Sequence, residues 1–249
     1  MTVTVPGHCG RVLLAILVVL GIAAAPAVAR HRQADAVPGK FDYYLLSLSI
    51  APSFCALSPA NGAKDECRSL TEAEFQQTPL TVHGLWPNRA GVSVNRQPHD
   101  CAGPPLGTLP ADTRAGLERY MPGGADLMQH EWRKHGTCSG LTPADYFAAV
   151  LRLAQHADDT IGTAMRDKGM LEGTVHIADL LATVSAKDAA LAAALVVDCQ
   201  TPRGGGTPLV EELRLVLSKD FTPRPAQSLG LGQNSGCKHG AGKIPKTPH

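Results

Sequence analysis

The sequence lacks an excess of charge of either sign. Its 249 residues carry 23 Lys and Arg against 22 Asp and Glu, a formal net charge of +1. Proteins that coat nucleic acid, or bind it tightly without regard to sequence, are normally basic because they neutralise many phosphates. The balance therefore argues against a coating or architectural role on nucleic acid, and it suits a protein that contacts its ligand locally.

The sequence also lacks an apolar run long enough to cross a bilayer. The run from Val12 to Ala25 has signal-peptide length, whereas a membrane helix needs about 20 apolar residues. Arg11 is the only Lys, Arg, Asp or Glu in the first 29 residues, and Ala27-Val28-Ala29 has the small-x-small pattern of a cleavage site. We expect a signal peptide at 1–29, removed after Ala29, with an uncleaved anchor as the alternative.

No internal repeat and no second domain are visible, and no regular β-α-β order is present. We therefore expect a single α+β domain over 41–237. The flanking segments 30–40 and 238–249 are polar or rich in Gly, Pro and Lys, and they are expected to be disordered.

Periodicity and turn residues predict the elements of that domain. Strands are expected at 41–50, 81–85 and 209–217, with the second strand ended by Pro87. Helices are expected at 111–120, from Thr142 onward and at 177–195, where the end of the last could turn into a strand. A short helical turn is expected at 71–77, and loops at 58–65 and 88–107.

Two short segments hold both Trp residues and most of the chemistry-bearing side chains. They are Thr81-Val82-His83-Gly84-Leu85-Trp86-Pro87-Asn88 and His130-Glu131-Trp132-Arg133-Lys134-His135-Gly136-Thr137-Cys138. Together they contain three His, a Glu and a Lys. Two imidazoles beside a cation and a carboxylate are what RNA cleavage without a metal requires, because the base must be neutral while the acid is protonated.

Helical geometry brings the polar residues of the second segment to one side. At about 100° per residue, His130, Glu131, Lys134 and His135 fall within about 140° of arc, and Trp132 faces away from them. Asp126 is the expected N-cap of this helix and Gly136 the expected stop. A zinc-protease helix needs two His at i and i+4, whereas here they stand at i and i+5 and a Lys occupies i+4. No metal is expected at this site.

The His-Gly-Leu-Trp-Pro and His-Glu-Trp-x-Lys-His-Gly-x-Cys patterns resemble the two active-site segments of the ribonuclease T2 family. The stretches Phe41 to Ser49 and Ser53 to Cys55 also resemble that family's first core strand and the turn after it. The resemblance covers roughly residues 41–237. It implies a central antiparallel sheet with helices packed around it, and a secreted, metal-independent endoribonuclease that cleaves single-stranded RNA and needs no cofactor.

Six Cys follow the expected signal peptide, namely Cys55, Cys67, Cys101, Cys138, Cys199 and Cys237. An even number in a secreted chain predicts three disulfides, but six Cys allow 15 pairings and the sequence alone does not choose among them. The family resemblance implies the pairs Cys55–Cys67, Cys101–Cys138 and Cys199–Cys237.

The resemblance also implies a role for each site residue. His83 would be the proton donor, His135 the acceptor, and Glu131 and Lys134 would act on the phosphoryl group. His130 would bind phosphate. Trp86 would stack on a base, with a core position beside Pro87 as the alternative, and Asn88 would contact a base edge or cap a turn.

Other His residues fit solvated or capping positions better than catalytic ones, although the loop that carries His99 could approach the site. RNA is the expected partner, DNA is not a substrate because it lacks the 2′-hydroxyl, no membrane is involved after cleavage, and a monomer is expected. The alternatives are a catalytically silent RNA-binding module on the same fold, or a secreted effector that uses the same chemistry against other cells. Base preference and biological target stay open.

Overall fold

The structure, a computed structural model, describes residues 1–3 and 36–247. The chain divides into two units, Met1–His31 and Arg32–His249, and the second unit carries the sheet and its helices. The expected signal peptide and its cleavage site lie outside the described residues. Within the described ranges, no helix is both long and apolar enough to cross a membrane.

The core of the domain is a seven-stranded sheet. Its strands are β1 (Tyr43–Ser49), β2 (Thr81–Asn88), β3 (Gly173–His176), β4 (Leu195–Gln200), β5 (Leu209–Leu217), β6 (Asn234–Ser235) and β7 (Ala241–Ile244). They are ordered β2-β1-β5-β4-β6, with β7 joining β3 to β5. The long pairings are antiparallel, and the short contacts of β4 with β6 and of β5 with β7 are parallel. The predicted α+β domain with a central sheet is confirmed.

Helices surround this sheet. They are α1 (Ala51–Ala56), α2 (Pro59–Gly62), α3 (Asp65–Arg68), α4 (Glu72–Gln77), α5 (Ala111–Tyr120), α6 (Gly124–Lys134), α7 (Pro143–Ala157), α8 (Thr163–Asp167), α9 (Ile177–Ser185) and α10 (Ala189–Ala194). A π-helical turn, Asp158–Gly162, joins α7 to α8. Capping side chains fix where several of these helices begin. Thr142 accepts a hydrogen bond from the Asp145 amide before Pro143, and Thr71 forms a capping box with Glu74.

The alternation of β1 and β5 gives the sheet one apolar and one partly polar face. Leu46 and Leu48 of β1 and Leu213 of β5 belong to the main hydrophobic core. The residues between them in β1 and β5 point to the opposite face, and there they are Ser47, Ser49, Glu212 and Arg214. The sequence thus places a polar row across the middle of the sheet, and the candidate site lies beside it.

Several predicted boundaries differ from the structure. Pro87 does not end β2, because β2 lies at the end of the sheet and an edge strand tolerates a residue that cannot donate a hydrogen bond. The N-cap of α6 is Gly123 rather than Asp126, which lies in the first turn of the helix. The predicted helix 177–195 is divided into α9 and α10, because the Asp188 side chain caps a new start. The predicted loop 58–65 contains α2 and the start of α3.

The expectation of disorder from residue 238 onward is wrong for most of that segment. Residues 241–244 form β7, which pairs antiparallel with β3 and touches β5 at Leu209. Ile244 is fully buried in the main core. Gly and Lys are rare in strands, so local composition concealed a strand that burial of Ile244 and pairing with β3 stabilise.

The three disulfides implied by the resemblance are confirmed. Cys55–Cys67, Cys101–Cys138 and Cys199–Cys237 are all bonded. The second joins the long loop after β2 to the short turn that follows α6. It therefore attaches that loop to the chain three residues beyond His135.

Candidate active site

His83 lies in a β-bulge. Ser47 of β1 pairs with Gly84 and Leu48 pairs with Val82, so His83 is an extra residue without a partner in the register. Bulges redirect side chains and are frequent beside active sites. The His83 side chain is 45% exposed, although its neighbours Val82 and Gly84 are buried.

One ring nitrogen of His83 is held by a buried carboxylate. His83 Nδ1 lies 2.7 Å from Oε1 of Glu212, whose side chain is only 5% exposed. Arg214 Nε donates to the other oxygen of Glu212 at 2.7 Å, and the same guanidinium donates to Asp198 at 3.1 Å. Burial alone would raise the pKa of Glu212, but the hydrogen bond from His83 and the charge of Arg214 outweigh it and lower the pKa to about 2.

The same contact favours the protonated form of His83. Burial on its own would lower the pKa of His83, and the hydrogen bond to Glu212 and the negative charges of Glu212, Glu131 and Glu211 raise it above the usual value. His83 is therefore the imidazole of the site that retains its proton to higher pH.

Glu131 projects from α6 against the indole of Trp86. The carboxylate is buried, and its Oε2 accepts a hydrogen bond of 2.8 Å from Trp86 Nε1. Burial raises the pKa of Glu131, and the hydrogen bond from Trp86 partly opposes this. A Cβ on Gly84 would overlap both Oε2 of Glu131 and Nε1 of Trp86, so only glycine at position 84 leaves room for this bond.

His135 lies against the same indole. The Trp86 ring is 5.1 Å from the His83 ring and 5.3 Å from the His135 ring, centroid to centroid. The helix ends at Lys134, and His135 has left it with φ −121° and ψ −46°. The predicted single helical face therefore includes His130, Glu131 and Lys134, whereas a turn places His135.

The surroundings of His135 disfavour its charged form. Its Nδ1 is buried without a hydrogen-bond partner among the described residues. Burial lowers the pKa of His135 to about 3, and the positive charges of Lys134 and His83 add to the effect. Since Nδ1 is enclosed, Nε2 is the nitrogen that can meet a ligand.

His130 and Lys134 lie at the rim of this cluster. His130 is half exposed, and its Nε2 is 4.0 Å from Oε1 of Glu131. Its pKa is lowered by burial and by the charges of Lys134 and Arg133. The Lys134 carbonyl accepts a hydrogen bond of 2.7 Å from the Asp100 amide, which fixes the loop after β2 against the end of α6.

That loop brings a fourth imidazole near the site. His99 Nδ1 lies 2.8 Å from Oδ2 of Asp100, and Asp100 precedes the bonded Cys101. The charge of His99 is one of those that lower the pKa of His135. The predicted approach of this loop to the site is seen, with His99 paired to its neighbour.

Trp86 and Asn88 differ in how close they are to the two imidazoles. The Trp86 ring contacts the rings of both His83 and His135, and its indole N–H donates to Glu131. Asn88 is buried at the far end of β2 opposite Tyr43. The base contacts predicted for both residues stay predictions.

Sequence reasoning missed the carboxylate and guanidinium behind His83. Glu212, Arg214 and Asp198 stand in strands that read as apolar, and they are distant from both motifs in sequence. A signal was present, because two Glu and one Arg interrupt the otherwise apolar run Leu209–Leu217. Charged residues buried in a central strand are costly unless they are paired. Their presence therefore predicts that each has an ion-pair or hydrogen-bond partner nearby.

A cavity of about 390 Å³ opens beside His83. Its wall includes Phe54, Phe75, Thr81, Arg119 and Leu127, drawn from α1, α4, β2, α5 and α6. A cavity lined by apolar and aromatic side chains with a few charged groups is typical of a small-molecule site. Across residues 36–247, no group of three or more His, Cys, Asp or Glu side chains is placed to hold a metal ion.

Comparison with known sequences decides the family. The sequence profile of the Ribonuclease T2 family matches residues 41–225. The chain belongs to the ribonuclease T2 family. It is 35% identical over 146 residues to a ribonuclease of Aeromonas hydrophila, which covers 58% of this chain and 59% of that protein. It is 33% identical over 150 residues to ribonuclease I of Escherichia coli K12, 49% of this chain and 56% of that protein. The matches thus span less than two thirds of these curated relatives.

Solved structures of the ribonuclease T2 family share the fold. A mutant of RNase MC1 in complex with 5′-UMP superimposes with a TM-score of 0.61 at 20% identity, over 82% of this chain and 98% of that one. The SF11-RNase associated with self-incompatibility in Nicotiana alata gives a TM-score of 0.60 at 16% identity, over 83% and 100%. At these identities the likeness concerns the fold.

Proposed function

We propose that the protein is a secreted endoribonuclease that cleaves single-stranded RNA by transphosphorylation. The observation that carries this proposal is a pair of imidazoles that both lie against the Trp86 ring and whose pKa values are shifted in opposite directions. His135 is held neutral and His83 is held protonated over the same pH range. That combination is what a general base and a general acid acting together require.

In the proposed reaction, Nε2 of His135 takes the proton of a ribose 2′-hydroxyl. The 2′-oxygen attacks the adjacent phosphorus, the bond from phosphorus to the 5′-oxygen breaks, and Nε2 of His83 donates its proton to that leaving oxygen. The products are a 2′,3′-cyclic phosphate and a free 5′-hydroxyl. Hydrolysis of the cyclic phosphate then gives a 3′-phosphate.

Charge that develops on the phosphoryl oxygens would be stabilised from α6. Lys134 and His130 supply positive charge or hydrogen bonds at the rim. Burial raises the pKa of Glu131, which favours the protonated form over that of an exposed glutamate, and in that form the carboxyl can donate a hydrogen bond to a phosphoryl oxygen. These three roles follow the family pattern carried by the same residues.

Family membership and the cavity support RNA as the substrate. The curated relatives are named ribonucleases, and a structural relative holds 5′-UMP. We propose that the cavity beside His83 receives one nucleobase. We also propose that Trp86 stacks on a base and that Asn88 contacts a base edge, both outside this cavity. DNA lacks the attacking hydroxyl and would not be cleaved, and we propose that the protein acts as a monomer.

Three disulfides are typical of proteins that work in an oxidising compartment, and family membership agrees with this. We propose export by the N-terminal segment with cleavage after Ala29. N-terminal sequencing of the exported protein tests this, and a mature chain that begins at Arg30 is the expected result. A retained Met1 in the exported protein would contradict it.

Digestion of a defined RNA in excess EDTA tests the proposed reaction. We expect unimpaired cleavage, new ends that carry 2′,3′-cyclic phosphate or 3′-phosphate, and resistance of the same RNA when every 2′-oxygen is methylated. Cleavage of the methylated strand, or new 5′-phosphate ends, would show a different mechanism. A protein that binds the RNA and leaves it intact would support the silent binding module instead.

A further inference from the structure

Glu212 reaches His83 from two strands away. The order β2-β1-β5 places β1 between them, and neighbouring strands lie about 4.8 Å apart, so the contact crosses about 10 Å. On the polar face, the residues of β1 on this path are Ser47 and Ser49, the latter directly opposite Glu212. Two small side chains leave room for a glutamate to extend over β1 to the imidazole.

The ion pair with Arg214 does not by itself account for this contact. A buried carboxylate is costly without partners, and Arg214 satisfies one oxygen of Glu212 while it also bonds Asp198. The other oxygen accepts from His83, a half-exposed residue in a bulge that lines the cavity. The ion pairs that join Asp198, Arg214 and Glu212 therefore hold the buried Glu212 carboxylate against the half-exposed His83 ring.

We propose that Glu212, anchored by Arg214, is a positioning residue that fixes the His83 ring and its tautomer, so that Nε2 alone carries the proton that is transferred. This inference rests on the proposed function. A carboxylate that accepts from Nδ1 keeps a hydrogen on that nitrogen whether the ring is charged or neutral. When Nε2 gives its proton to the leaving 5′-oxygen, the Nδ1–H bond to Glu212 stays intact.

The charges around His83 come from three elements. They are Glu211, Glu212 and Arg214 of β5, Glu131 and His130 of α6, and His135 after it. Among residues 36–247, Glu212 is the acidic residue whose carboxylate is hydrogen-bonded to the His83 ring. Removal of Glu212 should therefore change both the orientation of His83 and its affinity for the proton, whereas removal of Glu211 should change only the second, and by less.

The experiment compares the pH dependence of kcat and kcat/KM for the wild type, Glu212→Gln and the matched control Glu211→Gln on a ribodinucleoside monophosphate. For Glu212→Gln we expect the alkaline limb of kcat/KM to move to lower pH and kcat to fall about 10- to 100-fold, as for other residues that orient a functional His, with KM little changed. For Glu211→Gln we expect near wild-type kcat at the optimum. An unshifted alkaline limb in a folded Glu212→Gln protein would overturn the proposal.

A second measurement, on the wild type, tests the tautomer of His83 even if Glu212→Gln does not fold. Imidazole ¹⁵N shifts of His83, followed through its titration, report which nitrogen carries hydrogen in the neutral ring. We expect the Nδ1–H tautomer, and a neutral ring with hydrogen on Nε2 would overturn the proposal.

Different results would contradict the proposed ribonuclease function and the positioning role of Glu212. If the wild type does not cleave the dinucleotide, or if His83→Ala cleaves as well as the wild type, the proposed function fails whatever Glu212 does. If the wild type is active, His83→Ala is not, and Glu212→Gln has the wild-type kcat and pH profile, only the positioning role fails.

Discussion

At the scale of single residues, the site gives opposite properties to two identical side chains. His135 is partly buried, lies near the charge of Lys134 and has no partner for its enclosed Nδ1 among the described residues, whereas His83 is half exposed and bonded to a carboxylate. Desolvation and nearby positive charge disfavour an imidazolium, and a bonded carboxylate favours it. The assignment of base and acid, implied first by family resemblance, thus acquires a physical basis in this chain.

Replacement of either imidazole by alanine should nearly abolish turnover. Each of His83→Ala and His135→Ala removes one partner of a linked proton transfer, and we expect losses of about 10²–10⁴ in kcat. The double variant should lose far less than the product of the single losses. Initial rates on a dinucleotide measure this, with melting temperature as the control for folding. If a single variant keeps more than about a tenth of the wild-type rate, its loss is smaller than general acid–base catalysis predicts. The replaced His would then not be the general acid or base.

The pH dependence of kcat/KM should be bell-shaped with its maximum below neutrality. His135 must be neutral, and because its pKa is lowered to about 3 the acidic limb should lie far below the range of ordinary His. His83 must be protonated, and because its pKa is raised activity should fall only as pH rises above the usual His range. The limbs belong to the coupled cluster as a whole. A maximum on the alkaline side would contradict the assignment.

At the scale of elements, the site depends on two breaks in regular structure. The bulge in β2 directs His83, and the end of α6 releases His135 from the helix. Hydrophobic pattern predicted the strand and the helix because burial repeats along them. It could not predict the bulge, which depends on the register with β1, or the exit of His135, which depends on how the following turn packs.

Gly84→Ala should impair activity more than stability alone explains. The added Cβ would overlap the Glu131 carboxylate and the Trp86 indole nitrogen, so their hydrogen bond must open and both side chains must move. We expect kcat to fall by at least about tenfold, since small displacements of catalytic groups are costly. Gly204→Ala is the matched control because no atom lies within 4 Å of its added Cβ. Equal kinetics for the two variants would show that the bond between Trp86 and Glu131 is dispensable.

At the scale of the whole molecule, contacts between segments distant in sequence form the part of the site and of the sheet that the sequence pattern does not predict. Glu212 meets His83 across 129 positions of sequence separation, and β7 closes on β3 and β5 near the end of the chain. The motifs identified one half of the site because family patterns concentrate there. The residues that support His83 lie on β4 and β5. Their signal in the sequence was the charged residues that interrupt an apolar strand.

Ile244→Ala should destabilise the domain although it lies in a segment whose composition resembles a disordered tail. The side chain is fully buried in the main core, and loss of a buried isoleucine costs about 2–5 kcal/mol. Lys243→Ala, one residue earlier and exposed on the same strand, should cost far less. Chemical denaturation of the two variants measures the difference. Equal stabilities would mean that β7 is not part of the cooperative fold.

The Cys101–Cys138 bridge has a consequence for the cell that makes this protein. It forms only under oxidising conditions, and it holds the loop with His99 and Asp100 against the turn that carries His135. A copy retained where thiols stay reduced would lack this tether, and we expect its catalytic groups to be poorly aligned. For the exported ribonuclease proposed above, the producing cell would then be shielded from damage to its own transcripts until the bridge forms.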